Sequence, residues 1–223
     1  MRIGKTRLAS SRSVKQRVAR ILLTLHRANP NAKVELDHRN PLQLLIATIL
    51  SAQCTDRRVN QVTPALFHRY TKAADYAKAD PSELETLITP TGFYKSKARS
   101  VIGTGKMLSE RFGGKVPKTM DELVQLPGVG RKTANVLLGN CFDQPAVVVD
   151  THVKRVAHRL GLTASEDPEV IEQDLQRVIP LEQWTSGSEL LLLHGRYVCV
   201  AKRPKCEQCP IYTECPWEGK RPR

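Results

Sequence analysis

Apolar residues recur at helical intervals along almost the whole chain. Val14, Val18, Ile21, Leu22 and Leu25 make one stripe and Leu42, Leu45, Ile46, Ile49 and Leu50 a second, the spacing that gathers side chains on one face of an α-helix. Helix starts are marked by a capping residue followed by proline at Asn40-Pro41, Asp80-Pro81 and Asp167-Pro168, and Thr119 with Glu122 has the spacing of a capping box. Only Ala146 to Val149 has a strand-like composition, and so short a run serves equally as an extended buried connector between helices. No repeat or low-complexity linker interrupts the pattern. The expected fold class is all-α, with helices in two layers around one or two modest cores.

Charge narrows the choice of partner. Thirty-five Lys and Arg against 22 Asp and Glu leave a formal charge of +13, which suggests a polyanion, most often nucleic acid, with plain solubility as the alternative. A membrane would attract the same charge, but the longest apolar run, around Leu42 to Leu50, is far short of a bilayer span, so no membrane partner is expected. The N-terminal MRIGKTRLASSRSVKQR contains no acid and resembles both a transit peptide and a nucleic-acid-binding arm. No apolar segment follows and a helical pattern begins almost at once, which favours a short frayed basic tail. Without a secretion signal, a cytoplasmic, nucleoid-associated location is expected.

The densest chemistry lies near the C-terminus. In CVAKRPKCEQCPIYTEC the cysteines stand at 199, 206, 209 and 215, while Cys54 and Cys141 are isolated. Four thiolates in so short a stretch can hold one metal centre. Zinc usually draws on two close pairs, and only Cys206 and Cys209 form a C-x-x-C, so an iron-sulfur cluster fits better than zinc. Disulfides fit least, since the chain has no evident oxidising destination and is long enough to build a core without them.

Between Thr119 and Phe142 the pattern reads helix, LPGVGRK, helix, a helix-hairpin-helix with Gly128 and Gly130 around Val129 in a tight turn. Such a turn lets backbone N–H groups approach a phosphate while the next helix directs its positive end the same way, with Arg131 and Lys132 adding charge. A P-loop is excluded: it needs glycines where Arg131 and Leu126 stand. A dinucleotide fingerprint lacks its third glycine, at Thr133. For an isolated Gly-x-Gly, a plain tight turn between packed helices is the simpler reading.

Taken together, LPGVGRKTANVLL at 126–138, VVVDTHVKRVAHRL at 147–160, LHGRYVC at 193–199 and the cysteine loop resemble the endonuclease III family of DNA glycosylases. The likeness runs from about Val34 to Cys215. It implies two helical domains flanking a cleft, a six-helix domain over 34–144 that carries the hairpin at about 119–142, and a cluster domain made of 1–33 plus 145–223. It also implies Lys132 and Asp150 as catalytic residues, Cys199, Cys206, Cys209 and Cys215 as ligands of a [4Fe-4S] cluster, and a monomer acting on double-stranded DNA that contains damaged bases or abasic sites.

The implied reaction is attack of the lysine amine on deoxyribose C1′ with loss of the base, then β-elimination from the iminium. An unperturbed lysine at pH 7 is neutral in only a few parts in ten thousand, a handicap of roughly 4.6 kcal/mol. Desolvation under bound DNA and cations such as Arg131 or Lys154 would lower it. A carboxylate beside the amine works the other way, so Asp150 is better suited to accepting the proton and stabilising the cationic sugar along the reaction path. As residues alone, Asp150 reads as a helix N-cap and Lys132 as a phosphate contact. His152, at a helix start, and His194, in an apolar run, read as structural.

Extracting a nucleotide leaves a gap to fill. Gln53 in LSAQCTD and Phe93 in TGFYKSKA match the family's gap-filling loops. Phe93 departs from the usual aliphatic wedge; as an aromatic it can stack on bases, and the alternative is a core phenylalanine. Cys54 is also a departure, read as packing. Lys202, Arg203 and Lys205, between the first two cluster cysteines, make the cluster loop a clamp for phosphates. Altogether the chain reads as a bifunctional glycosylase and AP lyase for oxidised pyrimidines. A monofunctional mismatch glycosylase would lack the hairpin lysine, and a non-catalytic DNA-binding module would have no use for Asp150.

Overall fold

A computed structural model describes residues 11–223, and the regular elements among them are all helices. The short frayed tail expected at the N-terminus falls on the first ten residues, which lie outside the described residues; from Ser11 the segment is helical. The chain divides into two units, Val34–Ala146 and a second made of Val147–Arg223 with the described part of Met1–Lys33.

In Val34–Ala146 the helices are α2 (Pro41–Leu50), α3 (Asp56–Arg69), α4 (Ala73–Ala77), α5 (Pro81–Ile88), α6 (Tyr94–Arg111), α7 (Met120–Leu123) and α8 (Arg131–Cys141). That is seven α-helical segments where the resemblance implied six, α4 and α7 being single turns. Asn40 and Asp80 cap as their prolines suggested, each accepting from the backbone N–H three residues on. At α7 Thr119 accepts from Glu122 N, but the Glu122 carboxylate takes the Thr119 hydroxyl at 2.6 Å, so the expected reciprocal box closes through the side chain. The stripe expected on α2 is broader than a stripe. Leu44 through Leu50 are all buried while Leu42 is only half-buried, because α2 has neighbours on several sides, and Thr48 returns its hydroxyl to Leu44 O.

The other unit contains α1 (Ser11–Ala28), α9 (Thr151–Arg159), α10 (Pro168–Val178) and α11 (Trp184–Tyr197). Its core joins Val18, Ile21, Leu22 and Leu25 of α1 to Val153 and Val156 of α9, Ile171 and Leu175 of α10 and Leu191 of α11. Each such aliphatic contributes roughly 1.5–3 kcal/mol on burial. Ala146–Val149 is extended and buried without pairing into a sheet, and Val148 N donates to Ser188 Oγ at 3.2 Å instead.

Candidate active site

The hairpin turn is set by two different glycines. Gly128 has φ +79°, and a Cβ there would lie 2.8 Å from Ser100 Cβ on α6, so a side chain is excluded twice over. Gly130 has an ordinary extended φ of −100° and open space where a Cβ would stand. The expectation that both glycines are demanded by a tight turn therefore holds only for Gly128. What Gly130 supplies is bareness: it is the N-cap of α8 and offers no side-chain acceptor to the first N–H groups of the helix. Arg131 and Lys132 in the first turn of that helix are exposed, and a helix start of this kind favours an anion. The Val129 side chain is buried, so this residue can present only its main chain. Thr104 Oγ1 donates to Pro127 O at 2.9 Å and fixes the hairpin to α6.

Asp150 is the N-cap of α9. One carboxylate oxygen, Oδ1, accepts from both His152 N and Val153 N at 2.8 Å, which orients the group and leaves Oδ2 uncommitted. Arg155, a turn further on, braces this start: it donates to His152 Nδ1, to Gly195 O at 2.7 Å and to Cys199 O at 2.9 Å. Gly195 allows α11 this close, since a Cβ would lie 2.9 Å from His152 O. Lys154, considered as a cation for lowering a lysine pKa, is engaged elsewhere in a 2.7 Å ion pair with Glu166. His152 serves as an acceptor for Arg155, and burial pushes His194 down to about 4, so it stays a neutral core group.

Gln53 and Phe93 share an unusual backbone. Among the described residues only three non-glycines have positive φ: Gln53 at 52°, Phe93 at 48° and Asp143. Both Gln53 and Phe93 are exposed, Phe93 at 66 %, which sets aside the core alternative for its ring.

The four clustered cysteines form no disulfide, and all four line one recess with Val156, Leu160, Val198 and Ile211. Four thiols around one apolar recess are the donor set of an iron-sulfur group, and among the described residues no three side chains form a single-ion site. Cations secure the loop. Arg159 donates to Cys199 Sγ at 3.2 Å and Val200 O at 2.9 Å, with its guanidinium 4.1 Å above the Trp217 ring. Lys220 donates to Cys215 O and Arg223 to Cys209 O. Lys202, Arg203 and Lys205 are exposed on the same loop.

Residues 46–181 match the model of the HhH-GPD superfamily base excision DNA repair proteins, and residues 199–215 match the iron-sulfur binding domain of endonuclease III. Endonuclease III of Synechocystis sp. is 51% identical over 92% of this chain and 94% of its own length. The chain belongs to the endonuclease III family. The Bacillus subtilis member is 46% identical over 83% of this chain and 85% of its own, and the Escherichia coli K12 member 40% over 90% and 95%. Two solved structures superpose with a TM-score of 0.86 at 44% identity, each covering 91% of this chain and 95% of the other: a non-covalent endonuclease III–DNA complex and a trapped endonuclease III–DNA covalent intermediate.

As an endonuclease III family member the chain is a DNA glycosylase and AP lyase of base excision repair and carries a [4Fe-4S] cluster. Among the described residues no helix is long and apolar enough to cross a membrane. Sequence reading missed Arg155 and Arg159. Their carbonyl and sulfur partners lie about forty residues away, and an arginine's spacing on its own helix does not signal them.

Proposed function

We propose that this enzyme excises oxidised pyrimidines from duplex DNA with Lys132 as nucleophile and Asp150 as its acid-base and electrostatic partner. The neutral Lys132 amine attacks C1′ and displaces the damaged base. Asp150 accepts the proton given up by the amine and stabilises positive charge on the sugar as the base departs. Loss of the C2′ proton from the resulting iminium then expels the 3′ phosphate. Gly128, the Val129 main chain, Gly130 and Arg131 hold a phosphate, and Lys202, Arg203 and Lys205 hold another stretch of backbone. Gln53 and Phe93 fill the space left by the extruded nucleotide.

The observation that carries this reading is the uncapped start of α8 with Lys132 exposed in its first turn. Cys199, Cys206, Cys209 and Cys215 would hold the cluster, whose four-cysteine ligation leaves no open iron and gives it a structural part. The enzyme acts as a monomer on DNA in the cytoplasmic nucleoid.

Borohydride trapping on a duplex containing one thymine glycol tests the reading. The native chain is expected to give a covalent adduct that vanishes with Lys132→Ala. Absence of any adduct, with the strand intact even at a supplied abasic site, would overturn the lysine mechanism.

A further inference from the structure

Phe93 is held in a conformation that an aromatic residue does not choose. Its backbone is left-handed, its ring is 66 % exposed, and it directly precedes α6 without capping it by a side chain. Strain of this kind persists where the surroundings over-determine it. Two hydrogen bonds of Lys97 bear on this segment, one from its main chain and one from its side chain. Its backbone N–H donates to Phe93 O at 3.0 Å, and its ammonium donates to Thr91 O at 2.8 Å. Lys97 thus grips the carbonyls on both sides of Gly92. Thr91 is itself buried and anchored through its hydroxyl to Ile88 O at 2.8 Å.

Lys97 is an expensive residue for this place. It is only 5 % exposed, and its ammonium meets a carbonyl and no carboxylate. Burial pushes it below the ordinary lysine range, partly offset by the Cys54 thiol. An apolar chain of the same length would fill the space without desolvating a charge. What such a chain cannot do is hold Thr91 O.

We propose that Lys97 is a positioning residue that locks Phe93 in its left-handed, outward pose and thereby sets which base the enzyme accepts opposite a lesion. The inference rests on the reading of Phe93 as a gap-filling side chain. Lys97 touches neither the sugar nor the departing base; it acts through the wedge.

The test is a double-mutant cycle of Phe93→Ala and Lys97→Met in the full-length, cluster-loaded enzyme, with cluster absorbance and Tm recorded for each variant. Single-turnover excision is measured with thymine glycol opposite adenine and opposite guanine, alongside strand cleavage at an abasic site in single-stranded DNA, where no partner base is orphaned. Lys97→Met is expected to slow duplex excision about tenfold, to shift the adenine-to-guanine ratio toward that of Phe93→Ala, and to leave single-strand cleavage unchanged. In the Phe93→Ala background it should add nothing. Equal losses on single and double strands, or full additivity with Phe93→Ala, would overturn the positioning role. Should Lys97→Met lose its cluster, Lys97→Leu, which likewise has no donor for Thr91 O, enters the same cycle under the same criteria. If Phe93→Ala alone changes neither rate nor base preference, the gap-filling reading fails, whatever Lys97 does.

Discussion

The helices that begin after Gly130 and after Asp150 start in opposite ways. α8 has a bare glycine at its N-cap, no acid in its first turn, and Arg131 and Lys132 where the helix dipole is already positive. α9 is capped by a carboxylate that accepts two backbone N–H groups, and it ends on His158 and Arg159, where cations are favoured. One start breaks the rules of helix stability and the other obeys them. A start that breaks the rules is a candidate binding site, since an anion favours the positive end of a helix with no acid and no side-chain cap. Obeyed rules can conceal a reactive group, because a capping aspartate has a sufficient structural reason to be present.

The largest expected effect separates the two duties of Asp150. Asp150→Asn keeps an acceptor for His152 N and Val153 N, so Tm should hold while turnover falls about 10²- to 10⁴-fold; a rate within a few-fold of native would reduce Asp150 to a cap. Giving α8 the kind of start that α9 has, by Gly130→Asp, should weaken duplex binding about tenfold, read by fluorescence anisotropy, because the new carboxylate occupies the donors and repels the phosphate. Unchanged affinity would mean that the hairpin helix is not the anion site. Asp150→Ala should add a stability loss of about 1 kcal/mol, seen as a Tm lower by about 2–4 °C, beyond what Asp150→Asn shows. The smallest effect belongs to Gly130→Ala. With open space at the Cβ and an ordinary φ, this variant should stay within a few tenths of a kcal/mol of native in denaturant titration; a large loss would restore a conformational need for glycine there.

Much of this was legible in the sequence. Local chemistry travels well: Asn40, Asp80 and Asp167 cap the helices their prolines announce, and the cysteine spacing foretells a shared recess. Non-local choices do not. An apolar residue before a helix can turn inward or outward, and Phe93 is exposed beside a Lys97 whose ammonium meets Thr91 O, a contact set by the fold rather than by periodicity. The near-complete burial of α2 depends on how many neighbours surround it, which one helix's pattern leaves open. The asymmetry between Gly128 and Gly130 depends on Ser100, nearly thirty residues upstream.

The unit containing α1 is assembled from both ends of the chain. The ribosome therefore delivers α1 first and its partners last, with residues 29–146 emerging in between. At about 5–20 residues per second, Val18, Ile21, Leu22 and Leu25 travel for on the order of ten seconds with nothing to pack against. Val34–Ala146 has all its segments to hand well before then. The order of synthesis thus completes the hairpin unit before the unit that carries the four cysteines.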